Sequence, residues 1–291
     1  GQRWRLIMNN NQELTFAKQL AEEAGKLTLQ GHGQCDRIAK DSEDGYDIAT
    51  KFDHKSEQLV KDRIREEFND PVLGEEEGLI GSVDVAHERL WVVDPVDGTF
   101  NYQHGLPLYG VSIAFCQQYV PICGAIVLPA LGLRFYASQG NGAYLDKNNG
   151  EPPAKLTVDP ETSMEKIIIG MEGNSLQDLV NAYFECGIPR RSLRVLMCAV
   201  ACLGFIASGK MNVWMHSALN VWDCAAGDIL IREAGGPACV DAQQTPIFPT
   251  YLRNKLQEND TKKFPFAAAS DEALLTTPVE QLWQSAGIAS K

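Results

Sequence analysis

The chain has 291 residues, 44% hydrophobic and 22% charged, enough for a soluble globular fold with a substantial core in one large domain or two closely joined halves. Its formal net charge of −12 argues against a general binder of nucleic acid or anionic membrane, yet does not exclude an anionic substrate, because a bound metal reverses the local field. No apolar run is long enough to span a membrane, no secretory leader is recognisable, and the 8 cysteines include no Cys-x-x-Cys pair, which reads as buried free thiols in a reducing cytoplasm.

Gly1 to Ile7 reads as a short extension ahead of Met8. Leu14 to Leu29 carries Phe16, Leu20, Ala24 and Leu27 at helical spacing, and the glycines at 31 and 33 end that helix. Lys40 to Gly45 is charged and loop-like. Tyr46 to Thr50 reads as a strand, followed by Asp53 in a capping position and by Val60, Ile64 and Phe68 on one helical face. Asn69-Asp70-Pro71 closes this helix. Val72 to Gly74 is then a short strand leading into Glu75-Glu76-Glu77, a run that in isolation is a solvated acidic loop.

The apolar run Leu90 to Val93 suits a strand buried on both faces, and Asp94-Pro95 is expected to end it. Asp97-Gly98 signals a turn, and Thr99 to Asn101 begins a short helix stopped by Pro107. Two carboxylates, a turn and free N–H groups thus gather at the carboxyl end of a buried strand, a usual place for ligands in α/β proteins. Oxygen ligands of this kind suit hard divalent cations, and N–H groups at a helix start suit phosphate. The bland alternative is a strand, a turn and two solvated aspartates. A phosphatase site of the Asp-x-Asp type is disfavoured, because the two-residue gap between Asp94 and Asp97 would face them oppositely on a regular strand.

From 108 onward the runs Leu108 to Phe115, Ile122 to Leu128, Leu133 to Ala137 and Ala143 to Leu145 read as an antiparallel meander. Asn148 to Pro153 is the expected internal boundary, giving an N-terminal α+β half over 8–152 and a C-terminal α/β half over 153–291 within one compact unit. In the second half, Lys166 to Ile169, Leu176 to Cys186, Val195 to Ala207, Asn212 to Met215 and Cys224 to Ala234 alternate between strand and helix. Asp223 is placed at the start of the last helix, with Gly235-Gly236 as its stop. Phe266 to Ser270 is strand-like, and no site is evident in the tail.

Asp94-Pro-Val-Asp97-Gly98-Thr99-Phe-Asn101 resembles the central motif of the inositol monophosphatase family, the Mg²⁺-dependent, lithium-sensitive phosphatases. Gly74-Glu75-Glu76 upstream and Trp222-Asp223-Cys-Ala-Ala-Gly227 with Arg232-Glu-Ala-Gly-Gly236 downstream match in the same order, from about Lys40 to Gly236. The resemblance implies an α+β, layered αβαβα sugar-phosphatase-type fold, with an antiparallel N-terminal sheet. It implies two or three Mg²⁺ ions: Asp94 bridging two of them, Glu75 and the Val96 carbonyl completing one site, and Asp97 and Asp223 holding another. Glu75, Thr99 and Asp53 would serve a metal-activated water, Asp53 by polarising Thr99, and the N–H groups of Gly98 and Thr99 would hold the phosphate. Glu76 reads as a supporting residue and Glu77 as surface. The implied partner is a small phosphate monoester, with no nucleic acid and no membrane, in a cytoplasmic homodimer.

Departures fall on the substrate side. Leu196-Met197-Cys198-Ala199-Val200 stands where family members have a Gly-Ser/Thr-Ala-Ala helix start, so Cys198 and Ala199 are expected near the substrate. His216 stands where many inositol-using members carry a glutamate, and it reads as either a substrate contact or a strand-end residue. Asn212 stands where an aspartate is common. The expected reaction is hydrolysis of inositol 1-phosphate or a related sugar or polyol phosphate. The alternatives are the same chemistry on histidinol phosphate, fructose 1,6-bisphosphate or a 3′-phosphonucleotide, and a regulatory binding protein with vestigial catalysis. For a nucleic-acid partner, only Arg190, Arg191 and Arg194 approach a basic cluster.

Overall fold

The computed structural model describes residues 2–33, 37–39, 48–83, 88–257 and 262–288, the side chains of 2–11, 37–39 and 48–50 excepted. Lys40 to Gly45 and Cys35 lie outside the described residues. The chain runs α1 (Gln2–Leu29), β1 (Arg37–Ala39), β2 (Ile48–Thr50), α2 (Lys51–Glu67), β3 (Val72–Gly74), β4 (Gly78–Ile80), β5 (Arg89–Asp97), α3 (Thr99–Gln103), β6 (Gly110–Gln117), β7 (Val120–Leu128), β8 (Leu133–Ser138), β9 (Gly142–Asp146) and β10 (Ala154–Lys155), the last of which lies just past the boundary expected at Asn148 to Pro153 yet pairs with β9. It continues with β11 (Ile169–Glu172), α4 (Leu176–Glu185), β12 (Leu193–Arg194), α5 (Ala199–Ala207), β13 (Val213–Leu219), α6 (Val221–Glu233), α7 (Thr250–Gln257), β14 (Phe264–Ala269), α8 (Glu272–Leu274) and α9 (Glu280–Ser285).

Two sheets carry the fold. An eight-stranded sheet has the order β10-β9-β8-β7-β6-β5-β3-β4, and a four-stranded sheet the order β12-β11-β13-β14. The period-2 alternation of strand side chains decides what lies on each face. On β5, Trp91 and Val93 join Val111, Ile113 and Phe115 of β6 beneath Phe16, Leu20 and Ala24 of α1 and Val60 and Ile64 of α2. Leu90 and Val92 point the other way, into a core with Val200 and Leu203 of α5 and Ala225 and Ile229 of α6. That core also takes Trp214 of β13 and Phe266 and Ala268 of β14. The opposite face of the small sheet, Met171, Val213, Met215 and Ala267, packs on Leu179 and Tyr183 of α4 and Leu282 and Trp283 of α9. The layers are therefore α1α2, sheet, α5α6, sheet, α4α9: the expected αβαβα order.

Several elements differ from the sequence reading. The eight-stranded sheet is mixed, because β3 lies parallel to β5 while the β5-to-β10 meander is antiparallel. Strand β5 does not stop at Pro95 but runs on to Asp97, with a register shift between Asp94, opposite Ser112, and Asp97, opposite Gly110. A bulge leaves one residue out of the ladder, so the N–H that proline lacks is not needed there. Helix α1 begins at Gln2, well before Leu14, and α6 is followed by further helices, so Asp223 does not head the last one.

Candidate active site

The bulge in β5 resolves the spacing of Asp94 and Asp97. With three residues set against two of β6, the strand rotates between them and both carboxylates turn to one side. Asp223, third residue of α6, meets them, and carboxylate oxygens of the three lie within 4.8 Å of one another. Each is tethered through one oxygen. Asp94 Oδ1 accepts the Val96 N–H at 3.1 Å. Asp97 Oδ2 accepts the Val200 N–H at 2.9 Å and the Cys198 thiol at 3.1 Å. Asp223 Oδ2 accepts the Asn220 N–H at 2.8 Å, within a capping box that starts α6.

Burial raises all three carboxyls. Asp94 is pushed well above the usual carboxylate range, first by burial and then by the charges of Glu75, Asp97 and Asp223. Burial raises Asp223 to about 7, with Asp97 adding to it, and raises Asp97 to about 6 against the opposing hydrogen bonds of Val200 and Cys198. Two buried acids and a third, partly buried one, repelling one another and offering only oxygen donors, form a set that fits a hard divalent cation such as Mg²⁺. The donor chemistry suits this ion better than a softer metal.

The remaining expected residues surround this group. Glu75 is outside the 4.8 Å cluster, but its charge acts on Asp94 more strongly than that of either other aspartate. Asp53 is buried in the first turn of α2, and Ser56 on the same helix donates to the Pro95 carbonyl at 3.2 Å, which ties α2 to the bulge. The Thr99 hydroxyl donates to the Val96 carbonyl at 3.0 Å. Gly98 precedes α3 with φ 79°, and a Cβ there would lie 2.9 Å from the Leu108 carbonyl oxygen, so both conformation and space call for glycine. Cys198 and Ala199 are buried at the start of α5. His216 is largely buried on β13, where its Nδ1 accepts the Ala218 N–H at 3.0 Å, and burial pushes its imidazole down to about 4. Nε2 therefore carries the ring proton at neutral pH. Asn212 is structural: Oδ1 accepts the Ile168 N–H at 2.9 Å and Nδ2 donates to Asp159 at 3.0 Å.

Three contributors escaped the sequence reading. Asn101 Nδ2 donates to the carbonyls of Leu108 at 2.9 Å, Leu196 at 2.8 Å and Met197 at 3.3 Å, lashing the central motif to the segment before α5. Glu172, buried at the end of β11, accepts the Met197 N–H at 2.9 Å, and Met197 has φ 56° where a glycine would be unstrained. Glu57 and Lys61 of α2 form a buried ion pair beneath the acidic loop. Only Asn101 had a signal in the sequence, since it closes the central motif. A Glu–Lys pair at i, i+4 ordinarily reads as a solvated helix face.

An αβαβα sandwich in which carboxylates from a strand of the large sheet and from the start of α6 converge defines a phosphatase-type protein with a cation-competent acidic centre. The inositol monophosphatase family model matches residues 9–284. The fructose-1,6-bisphosphatase/inositol-1-monophosphatase of Thermotoga maritima is 33% identical over 225 residues, 77% of this chain and 82% of that protein. A histidinol-phosphatase of Chlorobaculum parvum is 33% identical over 239 residues, 79% and 85% of the two chains. Among solved structures, a Thermotoga maritima IMPase superposes with a TM-score of 0.78 at 25% identity, covering 95% of this chain and 98% of that one. The chain belongs to the inositol monophosphatase family, and it is a phosphoric monoester hydrolase.

Proposed function

We propose that the protein hydrolyses a small sugar or polyol phosphate monoester in a Mg²⁺-dependent reaction, with inositol 1-phosphate the default substrate. The observation that carries this reading is the meeting of Asp94, Asp97 and Asp223 within 4.8 Å, beside the positive-φ turn at Gly98. Asp94, Asp97, Asp223, Glu75 and the Val96 carbonyl would hold two or three ions. When bound, Mg²⁺ neutralises the phosphoryl oxygens and makes a water more acidic. The N–H groups of Gly98 and Thr99 bind the phosphate. Asp53 and the Thr99 hydroxyl handle the proton of the attacking water, Glu75 orients it, and the phosphoryl group passes directly to that water as the ester oxygen leaves. No phosphoenzyme is required.

Substrate choice rests on the side where the chain departs from its family. At neutral pH His216 offers an N–H donor at Nε2 and no charge, whereas a glutamate would offer an acceptor. This supports a substrate with a hydrogen-bond acceptor near the ester, and so keeps histidinol phosphate, fructose 1,6-bisphosphate and a 3′-phosphonucleotide in competition with inositol 1-phosphate. The intact carboxylate set favours catalysis over a purely regulatory binding role. Seven free cysteines among the described residues support a cytoplasmic setting, and no described helix is long and apolar enough to cross a membrane. Phosphate release from these four esters, with Mg²⁺, with EDTA and with added Li⁺, tests the proposal. One preferred ester that requires Mg²⁺ and is inhibited by Li⁺ is expected; no release from folded, Mg²⁺-binding protein would refute catalysis on this substrate class. Light scattering would test the expected homodimer.

A further inference from the structure

We infer that Glu57 is a positioning residue for the metal centre: its buried carboxylate, paired with Lys61, grips the backbone of the 75–77 loop and so fixes Glu75. The inference rests on the reading of Glu75 as a metal ligand. Asp53, Glu57 and Lys61 recur every four residues and share one face of α2, and all three are buried to within 2% of full exclusion from solvent. An ion pair so deep is not explained by stability, since apolar residues of similar volume would serve as well or better.

What an apolar pair could not do is hold the loop. Glu57 Oε2 accepts the Glu76 N–H at 2.8 Å, and Oε1 accepts the Glu77 N–H at 2.9 Å. Both donors lie in the turn between β3 and β4, where no ladder partner is available to them. Lys61 Nζ donates to Glu57 Oε1 and also reaches Oε2 of Glu77 at 3.3 Å, a residue that is exposed, as expected, and adds a contact at the rim of the clamp. Gly74 makes room: a Cβ there would lie 2.8 Å from the Glu57 carboxyl carbon. Glu75 thus sits between a glycine packed on Glu57 and two residues whose N–H groups Glu57 holds. Three consecutive acidic side chains repel one another, and the clamp sets the backbone from which Glu75 reaches towards Asp94. The same helix carries Asp53 and the Ser56 contact to Pro95, so α2 references the loop and the bulge to one rigid element.

Calorimetric titration of Mg²⁺, with Mn²⁺ followed by electron paramagnetic resonance, reads the effect without relying on turnover. In Glu57→Ala/Lys61→Met, which removes the pair together and leaves no buried unpaired charge, metal affinity is expected to fall about ten-fold or more, as for other groups supporting a ligand. The melting temperature in EDTA should fall, because the Glu76 and Glu77 N–H groups lose their acceptor and a small cavity is left, while kcat should return to within a few-fold at saturating Mg²⁺. Gly74→Ala should weaken metal binding in the wild-type background but add little in the double variant, where the colliding carboxyl is gone. If the double variant does not fold, Glu57→Gln, with one acceptor oxygen for two N–H groups, takes its place and is also expected to bind more weakly. Wild-type metal affinity in the folded Glu57 variants overturns the inference. The reference variant Glu75→Gln separates the two claims: unchanged affinity there removes Glu75 as a ligand, whereas weakened affinity there with unchanged Glu57 variants overturns the positioning role alone.

Discussion

Oδ2 of Asp97 accepts the backbone N–H of Val200 at 2.9 Å, so a carboxylate at the end of a strand in the eight-stranded sheet caps a helix of the C-terminal half. The Cys198 thiol donates to the same oxygen at 3.1 Å, and the positive end of α5 faces the charge. Strand β5 and helix α5 are joined at the atom that orients one of the three clustered acids.

This arrangement makes Cys198 a partner of Asp97 as well as a candidate substrate neighbour. Cys198→Ala removes one of the donors to Asp97 and is expected to weaken Mg²⁺ binding by up to about ten-fold. Cys198→Ser, which keeps a donor, should restore it. Parallel calorimetric titrations compare them, and equal affinities in both variants would exclude the hydrogen bond as a contributor.

Asp94→Asn should leave the protein folded and lower kcat/KM by on the order of 10³-fold or more, the scale of losing a central electrostatic group. Its melting temperature in EDTA should hold or rise, because a buried charge facing Glu75, Asp97 and Asp223 is gone. Steady-state kinetics and calorimetry measure both. Substantial Mg²⁺-dependent turnover would remove Asp94 from the catalytic centre.

Asp97 and Asp223 carry carboxyls raised to about 6 and about 7, chiefly by burial. Without metal, the folded chain then holds more protons than the unfolded chain from roughly pH 4, the unfolded carboxyl range, to pH 7. These groups therefore cost stability as pH climbs through that window, and ligation requires the deprotonated forms. The rise in melting temperature caused by Mg²⁺ should be larger at pH 8 than at pH 6. A shift independent of pH would contradict the assignment.

His216 is lowered to about 4 by burial, with the charge of Lys263 adding to the effect. The unfolded chain takes up this proton near pH 6.5 and the folded chain does not, so stability falls as pH drops from 6.5 towards 4. Its ring resonances should show no titration above pH 5 by nuclear magnetic resonance. His216→Gln keeps an acceptor available for the Ala218 N–H, and it should remove that acid-side loss while shifting KM for the preferred ester more than kcat.

Much of the fold was legible from local pattern. The run from Leu90 to Val93 announced a strand buried on both faces, and Trp91 and Val92 do enter opposite cores. The meander from β6 to β9 followed from short apolar runs cut by glycine, proline and asparagine. Asp223 was placed near a helix start, and it caps the first turn of α6. Pro95 misled, because proline rules describe a regular ladder, and a bulge there removes the need for its N–H.

By itself, then, the sequence determined the alternation of strands and helices, the helix start at Asp223, and the acidic, oxygen-rich character of the chemistry around Asp94 and Asp97. These depend on periodicity and residue type over a few neighbours. Tertiary structure alone decided that a bulge turns Asp94 and Asp97 to one side, that Asp97 caps a helix begun 102 residues after it, and that Glu172, Glu57 and Lys61 are buried supports. A glutamate or lysine in a helix or strand has the same local signature whether water or a neighbouring backbone receives its charge. Only packing chooses between them, because burial and hydrogen-bond partners are set by segments distant in the chain.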